Sequence, residues 1–80
     1  MDKPFLLAIT HSTDDVVRAS SALALANAML AQGSEIIIFL LNEGVLLGQK
    51  RAIEGLHVPP FPPVKEMVHK LAEARVKVYL

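Results

Sequence analysis

The sequence predicts an α/β domain built on a parallel sheet, and three observations carry that expectation. Two apolar stretches, Phe5 to Ile9 and Ile36 to Leu41, run without polar alternation, as strands covered on both faces do. A long alanine- and leucine-rich segment lies between them and stops at Gly33. A second, amphipathic segment follows a proline cluster and leads into Val76-Lys77-Val78-Tyr79-Leu80. The order is β-α-β-(α)-α-β, and right-handed crossovers then make the three strands parallel neighbours.

The first strand is expected over about residues 4–10. His11 to Asp15 is a polar turn in which Ser12 or Thr13 can cap the next helix, and Ser12-x-x-Asp15 resembles a capping box with Asp replacing Glu. The helix spans about 14–32, with Gly33 as its left-handed stop. Its apolar positions, among them Val16, Val17, Leu23, Ala26 and Leu30, cover more than one stripe, which points to burial against a sheet and a further surface. The second strand spans about 35–41, where three consecutive isoleucines favour extended backbone. Asn42-Glu43-Gly44 ends it, with Gly44 expected to supply a positive-φ turn.

Val45 to Leu56 reads as a short irregular helix weakened by Gly48 and Gly55. Val58 to Pro63 holds four of the five prolines, a stiff extended linker. The last helix is expected over about 63–74, with Val64, Met67, Val68, Leu71 and Ala72 on one face and a Glu66–Lys70 ion pair on the other. The third strand spans about 76–80. No repeat or linker divides the chain, so residues 1–80 form a single domain. It is read as incomplete at its C-terminal end, because the sequence stops at the tip of a strand.

Composition narrows the function. Of the 80 residues, 52% are hydrophobic, a rich fraction for a chain with so little interior, and subunit contact is the expected destination of the surplus. Eight basic residues balance eight acidic ones, and no basic run exists, so nucleic acid is not an expected partner. The apolar stretches are far shorter than the ~20 residues of a membrane span. With no membrane segment and no leader pattern, the cytoplasm is the expected location. There are no cysteines, which removes disulfides, thiolate metal sites and a cysteine nucleophile from this chain. The three histidines lack metal-ligand spacing, and no glycine-rich nucleotide motif occurs, so neither a metal nor a cofactor is expected.

Ligands of open α/β sheets collect past the carboxyl ends of the strands. There, His11 can bind an anion or move a proton, although its neighbours Ser12 to Asp15 have a sufficient role in starting a helix. Glu43 sits at the end of the adjoining strand and can pair with His11, as an acid/base couple or as a structural hydrogen bond. The candidate cleft residues are therefore His11, Asn42, Glu43 and Gly44. His57, in the proline linker, is a weaker candidate, and His69 reads as a surface residue.

Several stretches in order carry a family resemblance: Thr10-His11-Ser12-Thr13-Asp14-Asp15 with Arg18-Ala19, Gln32-Gly33, Ile38-Phe39, and Asn42-Glu43-Gly44-Val45-Leu46-Leu47. Pro59 to Pro63 and Ala74-Arg75-Val76-Lys77-Val78-Tyr79 complete the set. The chain resembles the DsrE/DsrF-like family, including its TusD- and YchN-type members. That resemblance implies a three-layer α/β/α fold with a mostly parallel five-stranded sheet. It also implies homo-oligomers or assemblies with related DsrE-like subunits, commonly trimers or hexamers, and a role in sulfur relay. Active members carry persulfide sulfur on a cysteine shortly after the strand that here ends at Tyr79-Leu80. No residue of this chain can inherit that role. The expected function is therefore association with intracellular sulfur transfer without being the sulfur carrier; a non-catalytic assembly module or a small-molecule-binding module are the alternatives.

Overall fold

The computed structural model describes residues 4–80. Strand β1 (Phe5–Ile9) is followed by helix α1 (Val16–Ala31) and strand β2 (Ile36–Leu40). A 3-10 helix (Asn42–Gly48) then leads through turns to helix α2 (Val64–Glu73) and strand β3 (Lys77–Tyr79). The strands form one parallel sheet in the order β1-β2-β3, with Leu7 opposite Ile38 and Ile38 opposite Val78. The α/β class, the parallel sheet and all three strands follow the sequence expectation, each strand one residue shorter at either end.

Sequential strand order with right-handed crossovers places successive helices on the same face. Burial along β2 alternates accordingly: Ile36, Ile38 and Leu40 are buried while Phe39 is exposed. One core unites these residues with Leu23 and Ala26 of α1 and Val64, Met67 and Leu71 of α2. The Asn27 side-chain amide donates to the Leu23 carbonyl within α1 and to the Met67 carbonyl at 3.3 Å, tying the two helices together. The opposite face carries Leu6, Phe39 and Tyr79, with the two rings stacked at 5.5 Å. Two layers, one of helices and one of sheet, are thus present among the described residues.

Local chemistry explains the element ends. The N-cap of α1 is Asp15, whose carboxylate accepts from the Arg18 backbone N–H at 3.1 Å. This corrects the expectation that Ser12 or Thr13 caps the helix. Both helices end in the same double bond: Gly33 N–H to Leu30 and Ser34 N–H to Met29 after α1, Arg75 N–H to Ala72 and Val76 N–H to Leu71 after α2. The left-handed residue is Gly33 (φ 87°) in the first and Arg75 (φ 60°) in the second. On α2 Lys65 pairs with Glu54 at 3.6 Å and His69 Nε2 lies 3.4 Å from the Glu73 carboxylate, in place of the expected Glu66–Lys70; both contacts are exposed and contribute little.

Candidate functional site

The carboxyl ends of β1 and β2 are adjacent, and the loops leaving them meet. The Leu41 N–H donates to the Ile9 carbonyl at 3.0 Å, so the pairing continues one step past the strand ends. The chain then turns at Asn42, which takes the left-handed conformation (φ 52°) that asparagine tolerates better than most residues. Gly44 does not supply the positive φ expected of it; it is a point of close approach. A Cβ there would fall on the Ile9 carbonyl oxygen, 2.7 Å from the Ile9 carbonyl carbon and 3.2 Å from Thr10 Cα. Only glycine lets the 3-10 helix seat against the end of β1.

Ser12 locks the two loops. Its hydroxyl, fully buried, donates to the Glu43 backbone carbonyl at 2.7 Å. Its N–H donates to one Asp14 carboxylate oxygen at 2.9 Å, while the other Asp14 oxygen lies 2.7 Å from His11 Nδ1. The His11 hydrogen bond, then that of the Ser12 N–H, holds the Asp14 carboxyl below its ordinary range. An ionised carboxylate only accepts, so Nδ1 carries the proton and Nε2 is the ring atom that Asp14 does not engage. In a neutral ring Nε2 is a base; in a charged ring it is a second donor.

The structure therefore brings His11 together with the Asn42-Glu43-Gly44 loop through Ser12 and a backbone carbonyl. The carboxylate partner of His11 is Asp14, not Glu43. Asn42 and Glu43 are exposed, Gly44 is buried, and His11 is half-buried. His57 makes its contact within its own proline loop: its Nε2 is 2.9 Å from the Phe61 carbonyl. His69 is exposed on α2, as expected. Sequence reasoning reads Ser12 as a helix cap and Asp14 as an acid beside His11 that also favours the helix start; the structure makes Ser12 the link between the loops and Asp14 the partner of His11. The histidine–acid spacing of three within a tight turn was the available signal for Asp14; nothing local marks Ser12, whose partner is 31 residues away.

Among the described residues no group of three histidine, cysteine or acidic side chains is placed to hold a metal ion, and no helix is long and apolar enough to cross a membrane. A cleft of about 680 Å³ lies away from His11, between the turns after the 3-10 helix and α2, lined by Leu47, Lys50, Ile53, Lys65, Val68 and His69 among others. Its volume suits a small ligand, but none of the four candidate cleft residues lines it.

The Asp14 shift has a pH consequence. A carboxyl whose folded value is depressed adds stability above its unfolded value, near 3.8, and loses it as pH falls through the folded value. Asp14→Asn should therefore be less stable than wild type in urea unfolding at about pH 6, and the gap should close as pH falls progressively below 3.8. A gap that persists at low pH would show that the carboxylate charge is not what the turn uses.

No curated protein and no solved structure matches this chain. A protein-family comparison matches residues 3–80, spanning the whole described fold and both loops of the site. The chain belongs to the DsrE/DsrF-like family.

Proposed function

We propose that this protein takes part in intracellular sulfur relay as a DsrE-like subunit that positions sulfur rather than carrying it. The observation that carries this reading is the family match over residues 3–80, a family generally linked to sulfur relay. These 80 residues contain no cysteine, so the thiol that holds sulfur comes from outside them. The domain, residues 1–80, acts in the cytoplasm within a homo-oligomer, a trimer or hexamer, or beside related DsrE-like subunits.

His11 and the Asn42-Glu43-Gly44 loop form the working surface at the carboxyl ends of β1 and β2, and His57 has a lesser role from its own loop. In persulfide transfer an acceptor thiolate attacks the terminal sulfur, the S–S bond breaks, and the donor leaves as thiolate, with no net oxidation. The Nε2 atom of His11 removes the proton of the attacking thiol when the ring is neutral. When charged, it steadies the persulfide anion by a charge-assisted hydrogen bond.

The test is transfer of radiolabelled sulfur from a cysteine desulfurase to a cysteine-bearing DsrE-like subunit, with and without this chain. The chain should raise the transfer rate, and His11→Ala should remove roughly ten- to a hundredfold, the span of a typical lost general base or less. An unchanged rate with and without the chain would end the proposal. Sulfane sulfur found on the chain itself, by cyanolysis, would refute the non-carrier role.

A further inference from the structure

The two helices differ in what they offer to water. The exposed positions of α2 are Lys65, Glu66, His69, Lys70 and Glu73, with Ala72 the one apolar residue among them. On α1, Arg18 is the only charged residue of 16. Val17 and Leu25 are 54% and 51% exposed, and Ser21 and Ala28 are exposed beside them. Helical periodicity puts these four on one face, opposite the buried Ala19, Leu23 and Ala26. That face points away from the sheet, so neither the pairing of the sheet's edges nor cover on its other side reaches it. A long helix face without charge is suited to contact with another apolar surface.

We propose that this face packs against the same face of a second copy, antiparallel about a two-fold axis between Ala24 and Leu25. Charge and shape select that occupant. Arg18 sits in the first turn, where the helix dipole disfavours a cation, and no basic residue sits in the last turn, where the dipole favours one. In the antiparallel pair Arg18 lies beside the partner's Ala31 and the last-turn carbonyls there. Each copy thus supplies the charge that the other's helix end lacks. Arg18 engages Asp15 through Nε at 3.3 Å, which leaves its terminal guanidinium N–H groups for this contact. The same register sets Leu25 against the partner's Ala24, with Ser21 opposite the partner's Ala28 on either flank, so the large central side chain meets small ones. An isologous contact of this kind joins two trimers. The inference therefore rests on the homo-oligomer proposed above and selects the hexamer.

The full chain holds no native cysteine, so introduced thiols report the register. Packed helix axes about 8–10 Å apart bring facing Cα atoms within reach of a disulfide. Ser21→Cys combined with Ala28→Cys should give covalent dimers when oxidised glutathione takes the two electrons and is itself reduced to two thiols. The two positions lie about 10 Å apart along one helix, too far for an internal disulfide. Either substitution alone should give little cross-linking. Wild type should sediment as a hexamer, and Leu25→Lys as a trimer with an unchanged far-UV circular dichroism spectrum. Arg18→Glu, which suits its own helix dipole, should keep its helix content and also dissociate the hexamer. A wild-type trimer or monomer overturns the proposal, as does a double variant that yields no dimer or a Leu25→Lys variant that remains hexameric. No readout here involves sulfur, so a chain that fails them and still speeds sulfur transfer loses this contact and keeps its place in the relay.

Discussion

Replacing Gly44 by alanine should unfold or nearly unfold the protein. The added Cβ meets backbone, the Ile9 carbonyl and Thr10 Cα, so no side-chain rotation relieves the overlap. Either the 3-10 helix lifts away or the end of β1 shifts. Both movements break the Ser12 bond to the Glu43 carbonyl and the Leu41 bond to the Ile9 carbonyl. Overpacking that cannot relax, together with a buried hydroxyl that loses its acceptor, costs about 3 kcal/mol or more. A domain this small has only about 4–12 kcal/mol in total. The melting temperature should drop by more than about 15 °C. Gly48→Ala is the control: its Cβ would sit 3.8 Å from Leu40 Cδ1 and 4.0 Å from Leu80 Cδ2, ordinary contacts, and its stability should stay within about 0.5 kcal/mol of wild type. Equal losses in the two variants, measured by urea unfolding, would mean that Gly44 acts through local helix propensity and not through its approach to β1.

The contrast between these two glycines shows what a sequence makes legible and what it hides. Runs of isoleucine and leucine, a left-handed glycine after a long helix and the i, i+3, i+4 spacing of α2 are local signals, and each element they mark is found within two residues of its expected limits. Gly33 behaves as its position implies. Gly44 does not, because its role is set by a strand 35 positions earlier that no nearby residue announces. Arg75 is the reverse case: it takes the left-handed position that glycine usually holds at a helix end, and tertiary context overrides the missing signal.

The candidate site divides the same way. Adjacent strands bring the His11 and Asn42 loops to one edge, and that placement follows from strand order alone. The hydrogen bonds across it were not foreseeable from spacing. Ser12 is a good helix cap by residue type, yet Asp15 holds that position, which frees the Ser12 hydroxyl to reach the second loop. Propensity identifies residues suited to a cap; competition among four consecutive polar residues decides which one becomes it.

The layer arrangement yields the other large effect. Ile38→Ala should cost about 2–5 kcal/mol, whereas Ile37→Ala, one residue earlier on the same central strand, should cost below about 1.5 kcal/mol. Ile38 is 2% exposed and touches the core formed with α1 and α2, where truncation opens a void that rigid neighbours on three sides cannot fill. It also lines an apolar cavity beside β3, so the new void joins existing empty space and more dispersion contact is lost. Ile37 points to the face shared by Phe39 and Tyr79, where the side chain is only half-buried and solvent can take up the vacated volume. A sheet covered equally on both faces would make the two substitutions comparably damaging. The ratio of their unfolding free energies in the full chain thus measures how much cover the second face receives in solution, and a ratio near one would contradict a single helical layer.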